Sequence, residues 1–195
     1  MTPLWIRLWH WAIAVLFVIL VLTGVVLTYS TSDFALMDYA LADTLHQVAG
    51  ILFSILFGVF LVAAGISGYW RRYPRQWQGL WSRIGRHSAN VVTGGTATPT
   101  PGMSLPERVD RSRGLLILIQ QLLYIFSIAI LSPLLVATGL ALLYPEFAPS
   151  KVAGLAGLWP FALAHYWIGL IGVVFLLFHV YIATVGGLKR MIRGR

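Results

Sequence analysis

Residues 164–183 read AHYWIGLIGVVFLLFHVYIA, an uncharged run that carries two of the chain's five histidines, His165 and His179. The two positions are fourteen residues apart, which in an α-helix corresponds to about 21 Å of rise and nearly four full turns. Both rings therefore leave the same face of one helix at different depths. An apolar run of about 20 residues can span a bilayer, and a histidine placed there is costly and usually binds something.

The whole chain has the composition of a membrane protein. Of its 195 residues, 58% are hydrophobic and 10% are charged, whereas soluble domains carry roughly 25% charged residues. We predict an all-α integral membrane four-helix bundle that forms a single domain and contacts membrane lipid. The predicted spans are residues 11–29, 46–70, 115–144 and 161–188. Pro133 is expected to kink the third span because it removes one backbone hydrogen bond. The first span is interpreted as a retained helix rather than a signal peptide.

The charged residues alternate between the connections. Residues 30–45 include three aspartates and no base, whereas residues 71–114 include eight arginines, and four more bases follow residue 188. By the positive-inside rule, the N- and C-termini and the loop 71–114 are predicted to be cytoplasmic. The net charge of +8 is therefore a topology signal. We expect a multi-pass protein of the bacterial inner membrane with no nucleic-acid partner.

Four of the histidines fall at two depths of this predicted bundle. His10 starts the first helix on the cytoplasmic side, and His179 lies deep in the fourth helix, towards the same side. His46 and His165 start the second and fourth helices on the periplasmic side. The depths predict two pairs, His10 with His179 and His46 with His165. The fifth histidine, His87, lies in the arginine-rich loop and is interpreted as a solvated residue.

Histidine pairs that join two membrane helices are typical of haem sites. Imidazole is a standard axial ligand of haem iron, and helix bundles build cofactor sites from inward-facing side chains. The chain has no cysteine, which excludes covalent CxxCH attachment and thiolate-ligated clusters. We predict two non-covalent b-type haems with iron atoms about 20 Å apart, each held by two histidines and limited to electron transfer.

Two other interpretations of the histidines stay open at this point. They could be interfacial or packing residues of the helices. They could also form a zinc or proton-relay site, although the predicted spans contain no carboxylate to partner them.

Four further residues are candidates for contact with the haems. Gly50 and Gly169, each one turn after an outer histidine, are predicted to let a flat macrocycle approach the backbone, and close helix packing is the alternative. Haem propionates are expected near the membrane surfaces, where a base can pair with them. Arg7 is the candidate for the inner haem and Lys151 for the outer one, with ordinary snorkelling of each base as the alternative.

Four motifs of the chain resemble those of a known family. They are RLWHW at 7–11, TLHQVAG at 44–50, LSPLLVATGLALLYPE at 131–146, and AHYWIGL with FHVYIA within 164–183. These motifs are similar to those of bacterial cytochrome b561-type membrane subunits. That group includes the cytochrome b subunits of nickel–iron hydrogenase, formate dehydrogenase (its gamma subunit) and thiosulfate reductase. The resemblance implies the same two histidine pairs.

The resemblance also implies exchange of electrons between a membrane quinone and a partner enzyme that is usually periplasmic. In the family the quinone generally lies near the cytoplasmic haem. The matching region here includes Arg7, residues 83–90 and the start of the third helix, where Gln120 and Gln121 are the candidate contacts. The alternative for these glutamines is an interfacial role. The expected partner is a periplasmic or membrane-attached redox subunit that contacts the apolar connections 30–45 and 145–160. The alternative is that the apolar residues of these connections lie in the membrane interface.

We therefore expect a dihaem b-type cytochrome, an electron-transfer subunit of an oxidoreductase complex rather than a stand-alone catalyst. One alternative is a free-standing superoxide-oxidising quinone reductase of the same superfamily. That activity would need a cationic periplasmic funnel, whereas the outer connections carry one lysine and four acidic residues. The other alternative is a structural anchor or small carrier without haem.

Overall fold

The computed structural model of the protein describes residues 4–31, 36–68, 119, 122–152 and 154–186. Within these ranges, four helices are long and apolar enough to cross a membrane. They are α1 (Leu4–Tyr29), α2 (Tyr39–Ile66), α3 (Leu122–Leu143) and α4 (Trp159–Gly186). The predicted fold class, an all-α membrane protein with four spans, is confirmed. The direction in which the helices cross the membrane stays a prediction.

Three helices begin earlier than the hydropathy pattern predicts, which corrects the expected positions of three histidines. His10, His46 and His165 were expected to start their helices, but each lies six or seven residues inside one. The side chain of Asp38 explains the start of α2, because its Oδ1 accepts a 2.9 Å hydrogen bond from the backbone N–H of Leu41. Such a cap satisfies an amide of the first turn, so the helix begins where its amides find a partner rather than where the apolar run begins.

The third helix contains a π-helical turn shortly before Pro133, and the predicted kink stays a prediction. Residues Ser127–Leu131 form a π-helical turn, and a regular α-helix continues over Ser132–Leu143. The backbone N–H of Ser132 bonds to the carbonyl of Ser127, five residues earlier. A proline has no N–H and its ring clashes with the carbonyl four residues before it. A wider turn relieves this conflict without ending the helix.

A small β-hairpin lies in the connection between α3 and α4. A single 3₁₀ turn over Pro145–Phe147 leads to strands β1 (Lys151–Val152) and β2 (Leu155–Ala156), which pair antiparallel. Gly154 lies in the tight turn between the strands at a φ of +82°, a conformation that glycine adopts without strain.

The contacts between Cα atoms divide the chain into two units. The first comprises residues 1–60 with 125–195, and the second comprises residues 61–124. In the second unit, the described residues are the end of α2 and the start of α3. The loop 71–114, including His87 and the segment 83–90, lies outside the described residues, as do Gln120 and Gln121. The expectation of a single domain stays a prediction.

Close contacts join the helices of the first unit. The indole N–H of Trp9 on α1 donates a 3.0 Å hydrogen bond to the carbonyl of Leu56 on α2, and its ring stacks on Phe60 at 4.0 Å between centroids. Gly172 on α4 makes room for Phe17, whose Cζ lies 3.1 Å from where a Cβ at Gly172 would be. Many large apolar side chains point outward, as expected for contact with lipid, including Val15, Val62, Leu134, Leu177 and Phe178.

Candidate cofactor sites

The structure brings the four candidate histidines together in the two predicted pairs. The ring centroids of His10 and His179 are 6.0 Å apart, with 42° between the ring planes. Those of His46 and His165 are 6.2 Å apart, with 82° between the planes. Each pair joins two helices, α1 with α4 for the first and α2 with α4 for the second. All four residues belong to the first unit of the chain.

These separations fit two rings that share one metal ion. A metal–imidazole bond is about 2 Å long and the nitrogen lies about 1 Å from its ring centroid, so two rings on opposite sides of an ion have centroids about 6 Å apart. Within the residues described, no group of three or more His, Cys, Asp or Glu side chains forms a site for a bare metal ion. Two imidazoles alone match the two axial positions of a haem iron.

A cavity of about 650 Å³ surrounds the pair formed by His46 and His165. All four helices contribute to its wall, and most of the lining side chains are apolar. This volume is within the range of small-molecule and cofactor pockets. We refer to this space as the outer cavity. Its lining includes Phe17, Leu20, Val21, Val25, Phe53, Leu135, Leu142, Leu170 and Val173.

Glycines supply part of the cavity wall. The two predicted from the sequence, Gly50 and Gly169, both line the cavity, as do Gly24 and Gly139. A Cβ added at Gly169 would meet no atom within 4 Å, so this part of α4 faces open space. Added at Gly139, a Cβ would lie 3.3 Å from Cε1 of His165. Gly139 therefore lets the imidazole lie against the backbone of α3, a role that sequence reasoning missed.

Two threonines that sequence reasoning also missed contact the outer histidines. The hydroxyl oxygen of Thr23 lies 2.9 Å from Nδ1 of His46, and that of Thr138 lies 2.9 Å from Nδ1 of His165. Both threonines are almost fully buried, with exposed fractions of 1% and 8%. The only sequence signal is a Thr-Gly pair at residues 23–24 and again at 138–139, each followed by a helix that carries a histidine near its start.

The inner pair has different surroundings. The ring of His179 stacks on that of Phe175 at 5.6 Å, whereas His10 meets Trp11 edge to face. Nδ1 of His10 is buried and has no hydrogen-bond partner among the residues that the structure describes. A buried polar atom without a partner costs free energy, and only a contact at Nδ1 itself would recover it.

The two bases predicted to pair with haem propionates differ in position. Arg7 is half-buried on α1, one turn before His10. Lys151 is exposed on β1 and is not one of the residues that line the outer cavity. The cavity lining instead includes Tyr29 and Tyr166, whose hydroxyl oxygens are 2.9 Å apart.

An acidic side chain also lies at the outer cavity. Asp43 and Gln47 are among the lining residues, and Nε2 of Gln47 donates a 2.9 Å hydrogen bond to Oδ2 of Asp43. Sequence analysis assigned no role to either. The amide contact satisfies one oxygen of this carboxylate.

The fold defines a class of protein, the membrane-embedded helical bundle, and in this chain two pairs of histidines lie close together between its helices. The sequence pattern of prokaryotic cytochrome b561 matches residues 2–194, and the chain belongs to this family. Membership implies binding of b-type haem and a role in electron transfer, and it confirms the resemblance predicted from the sequence motifs. The chain is accordingly a multi-pass bacterial membrane protein.

A named relative agrees with this placement. The chain is 29% identical over 189 residues to the protein named "Putative cytochrome YdhU" of Escherichia coli (strain K12). The alignment covers 93% of this chain and 66% of that protein, so the chain spans about two thirds of the length of this relative. No solved structure matches the chain significantly.

Proposed function

We propose that this chain is a dihaem b-type cytochrome that relays electrons across the bacterial inner membrane, between the quinone pool and a redox partner on the periplasmic side. The observation that carries the proposal is the presence of two histidine pairs at ring separations of 6.0 and 6.2 Å. Both outer histidines lie six or seven residues from the N-terminal ends of their helices, and His179 lies fourteen residues further along α4. Two sites at different depths are what a relay across a bilayer needs.

The residues of each site have separable tasks. When bound, a haem supplies a reversible one-electron change at its iron. His46 and His165 would hold the outer group and His10 and His179 the inner one, and with two protein ligands each group would serve electron transfer rather than binding of oxygen or substrate. The mostly apolar wall of the outer cavity would favour an apolar macrocycle over water. Gly50 and Gly169 leave space for a flat macrocycle on that wall.

The direction across the membrane is part of the proposal. The arginine-rich loop 71–114 and the basic C-terminal tail favour the cytoplasmic side for both. The outer cavity would then open towards the periplasm, and the pair His10/His179 would lie nearer the cytoplasm, where we place the quinone. Arg7 is our proposed partner for the propionates of the inner haem. The roles of Lys151, Gln120 and Gln121 stay predictions.

The proposal is tested on the purified chain in detergent. We expect two haems per polypeptide in a pyridine haemochromogen assay, and a reduced-minus-oxidised spectrum with the α-band of b-type haem. A soluble quinol should reduce the haems, because a relay coupled to the quinone pool must accept or return electrons there. A single haem per chain would contradict the dihaem proposal, and protein without haem would contradict the whole of it.

We also propose that a redox subunit binds to the outer connections of the chain. These segments combine few charges with several exposed apolar side chains, namely Leu36, Tyr39, Leu41, Phe147, Leu155 and Trp159. Apolar and aromatic surface that lies outside a membrane is typical of a permanent interface. The hairpin that carries Leu155 belongs to the connection immediately before α4, and thus before His165.

A charge at this surface should release the partner. We expect Leu155→Asp or Met37→Asp to lose the co-purifying subunit, because a buried unpaired carboxylate costs several kcal/mol, while haem content stays unchanged. Ser150→Asp is the matched control, since it adds the same charge at an exposed polar position of the same connection. Capture of the subunit from native membranes by the tagged chain provides the measurement. The proposed surface would be contradicted if Leu155→Asp and Met37→Asp both retained the subunit. It would also be contradicted if Ser150→Asp lost the subunit as well.

A further inference from the structure

At the outer cavity, the hydroxyl of each threonine donates its hydrogen to a backbone carbonyl of its own helix. Thr23 donates to the carbonyl of Ile19 at 2.7 Å, and Thr138 donates to that of Leu134 at 2.7 Å. A hydroxyl has one hydrogen and two acceptor lone pairs. Towards the imidazole, 2.9 Å away in both cases, each hydroxyl can therefore only accept.

These hydroxyl–carbonyl hydrogen bonds determine which nitrogen of each imidazole carries the hydrogen. If the hydroxyl accepts, Nδ1 of His46 and of His165 must donate, and in the neutral ring Nε2 then keeps its lone pair. An unprotonated ring nitrogen is the form that binds a metal. The two rings would thus be held in the ligating tautomer by groups that do not themselves touch the metal.

The neighbouring glycines hold the rings in the matching orientation. The residue after each threonine is a glycine, and a Cβ there would lie 3.5 Å from Cε1 of His46 or 3.3 Å from Cε1 of His165. The edge of each ring that contains Nδ1 and Cε1 therefore lies against the backbone of α1 or α3. The same arrangement occurs twice, on two different helix pairs, although the sequence shows no overall repeat.

We propose that Thr23 and Thr138 are positioning residues that set the tautomer and orientation of the outer histidines and thereby tune the affinity and redox potential of the outer haem. The inference rests on the proposed function, because it assumes that these histidines ligate haem. The inner pair offers a contrast within the same chain, since Nδ1 of His10 has no such acceptor among the residues that the structure describes.

Removing an acceptor should weaken only the outer site. Outer partners of metal-binding histidines typically contribute about 10- to 100-fold in affinity, so we expect Thr23→Val and Thr138→Val each to weaken binding of the outer haem by about that factor. The midpoint potential of the outer haem should rise. An imidazole that loses an acceptor is a weaker electron donor, and it stabilises the oxidised iron less.

The experiment compares variants of the full chain loaded with haem, by spectroscopic redox titration and by transfer of haem to an apoprotein acceptor. The outer haem is identified as the one that His165→Ala removes. Serine at either position keeps the hydroxyl and should restore the wild-type potential and rate of haem loss. Alanine at either position also lacks the hydroxyl and is smaller than valine, so it provides a second test of the same loss. Thr44→Val is the matched control, because Thr44 bonds to the carbonyl of Ala40 in the same way but is exposed and is not one of the residues that line the outer cavity.

The outcomes separate this inference from the proposed function. A higher potential and faster loss of the outer haem in the valine or alanine variants, with the inner haem unchanged and serine restoring both values, supports the inference. Wild-type values in the valine and alanine variants of a haem-loaded protein overturn it while leaving the proposed function intact. Serine variants as impaired as valine variants, or an equal effect of Thr44→Val, also overturn it. A wild-type chain that binds no haem overturns both.

Discussion

A His165→Ala variant is expected to retain about half of the haem of the wild-type protein, because an iron with one axial histidine missing is no longer held between two helices. The ring centroids of His165 and His46 are 6.2 Å apart, and those of His10 and His179 are 6.0 Å apart. The remaining haem should be the inner one, with its spectrum unchanged. Haem per polypeptide, measured by pyridine haemochromogen, provides the readout.

Double variants test the pairing itself. If His46 and His165 share one haem, replacing both should cost no more haem than replacing either, because the second change acts on a site already lost. Replacing His165 together with His179 should instead remove both haems. His87→Ala is the control, since this histidine is predicted to be a solvated loop residue and its loss should leave both haems. Complete haem loss in the His46/His165 double variant, or full haem in His165→Ala, would contradict the assignment.

Gly169→Leu is expected to exclude the outer haem while leaving the fold intact. A Cβ at this position would meet no atom within 4 Å, so the protein itself has room for the larger side chain. That room is the outer cavity, which Gly169 lines together with His165. A leucine there would occupy the space that we assign to the macrocycle. Haem content should fall to about half, as in the ligand variants, because only one of two sites is blocked.

Gly58→Leu separates this effect from a general effect of replacing glycine. Gly58 also has no atom within 4 Å of an added Cβ and lies in the middle of α2, but it does not line the outer cavity. Both substitutions should favour the helix by a similar amount, about 1 kcal/mol relative to glycine. Monodispersity in detergent and thermal stability should therefore be alike in the two variants. Two haems in Gly169→Leu would show that the cavity is not the cofactor site.

The four spans and the histidine pairs could be predicted from the sequence for a simple physical reason. A bilayer imposes a single axis on the helices, so hydropathy locates the spans and the spacing along each helix determines depth. Two histidines at the same depth on different helices then have few other partners. For this reason His10 and His179, which are 169 positions apart in the chain, could be paired without a structure.

The ends of the helices could not be predicted in the same way. Hydropathy places the start of the second span at residue 46, whereas the Asp38 side chain caps α2 so that it begins at Tyr39. A helix can continue beyond the apolar core of the membrane as long as its first amides have partners. The apolar pattern marks the membrane-buried part of the helix and contains no information about those partners.

By itself, the sequence of this protein determined that four apolar helices cross a membrane, and it predicted that four histidines lie at two depths within it. Only the tertiary structure decided which polar residues contact the histidines. Threonines in apolar helices commonly bond to the carbonyl four residues earlier, and Thr28 and Thr44 do so in the same way as Thr23 and Thr138. Apart from the glycine that follows Thr23 and Thr138, the four look alike in sequence, because the bond that they share is local. What distinguishes Thr23 and Thr138 is an imidazole from the next helix, a neighbour that exists only once the helices pack together.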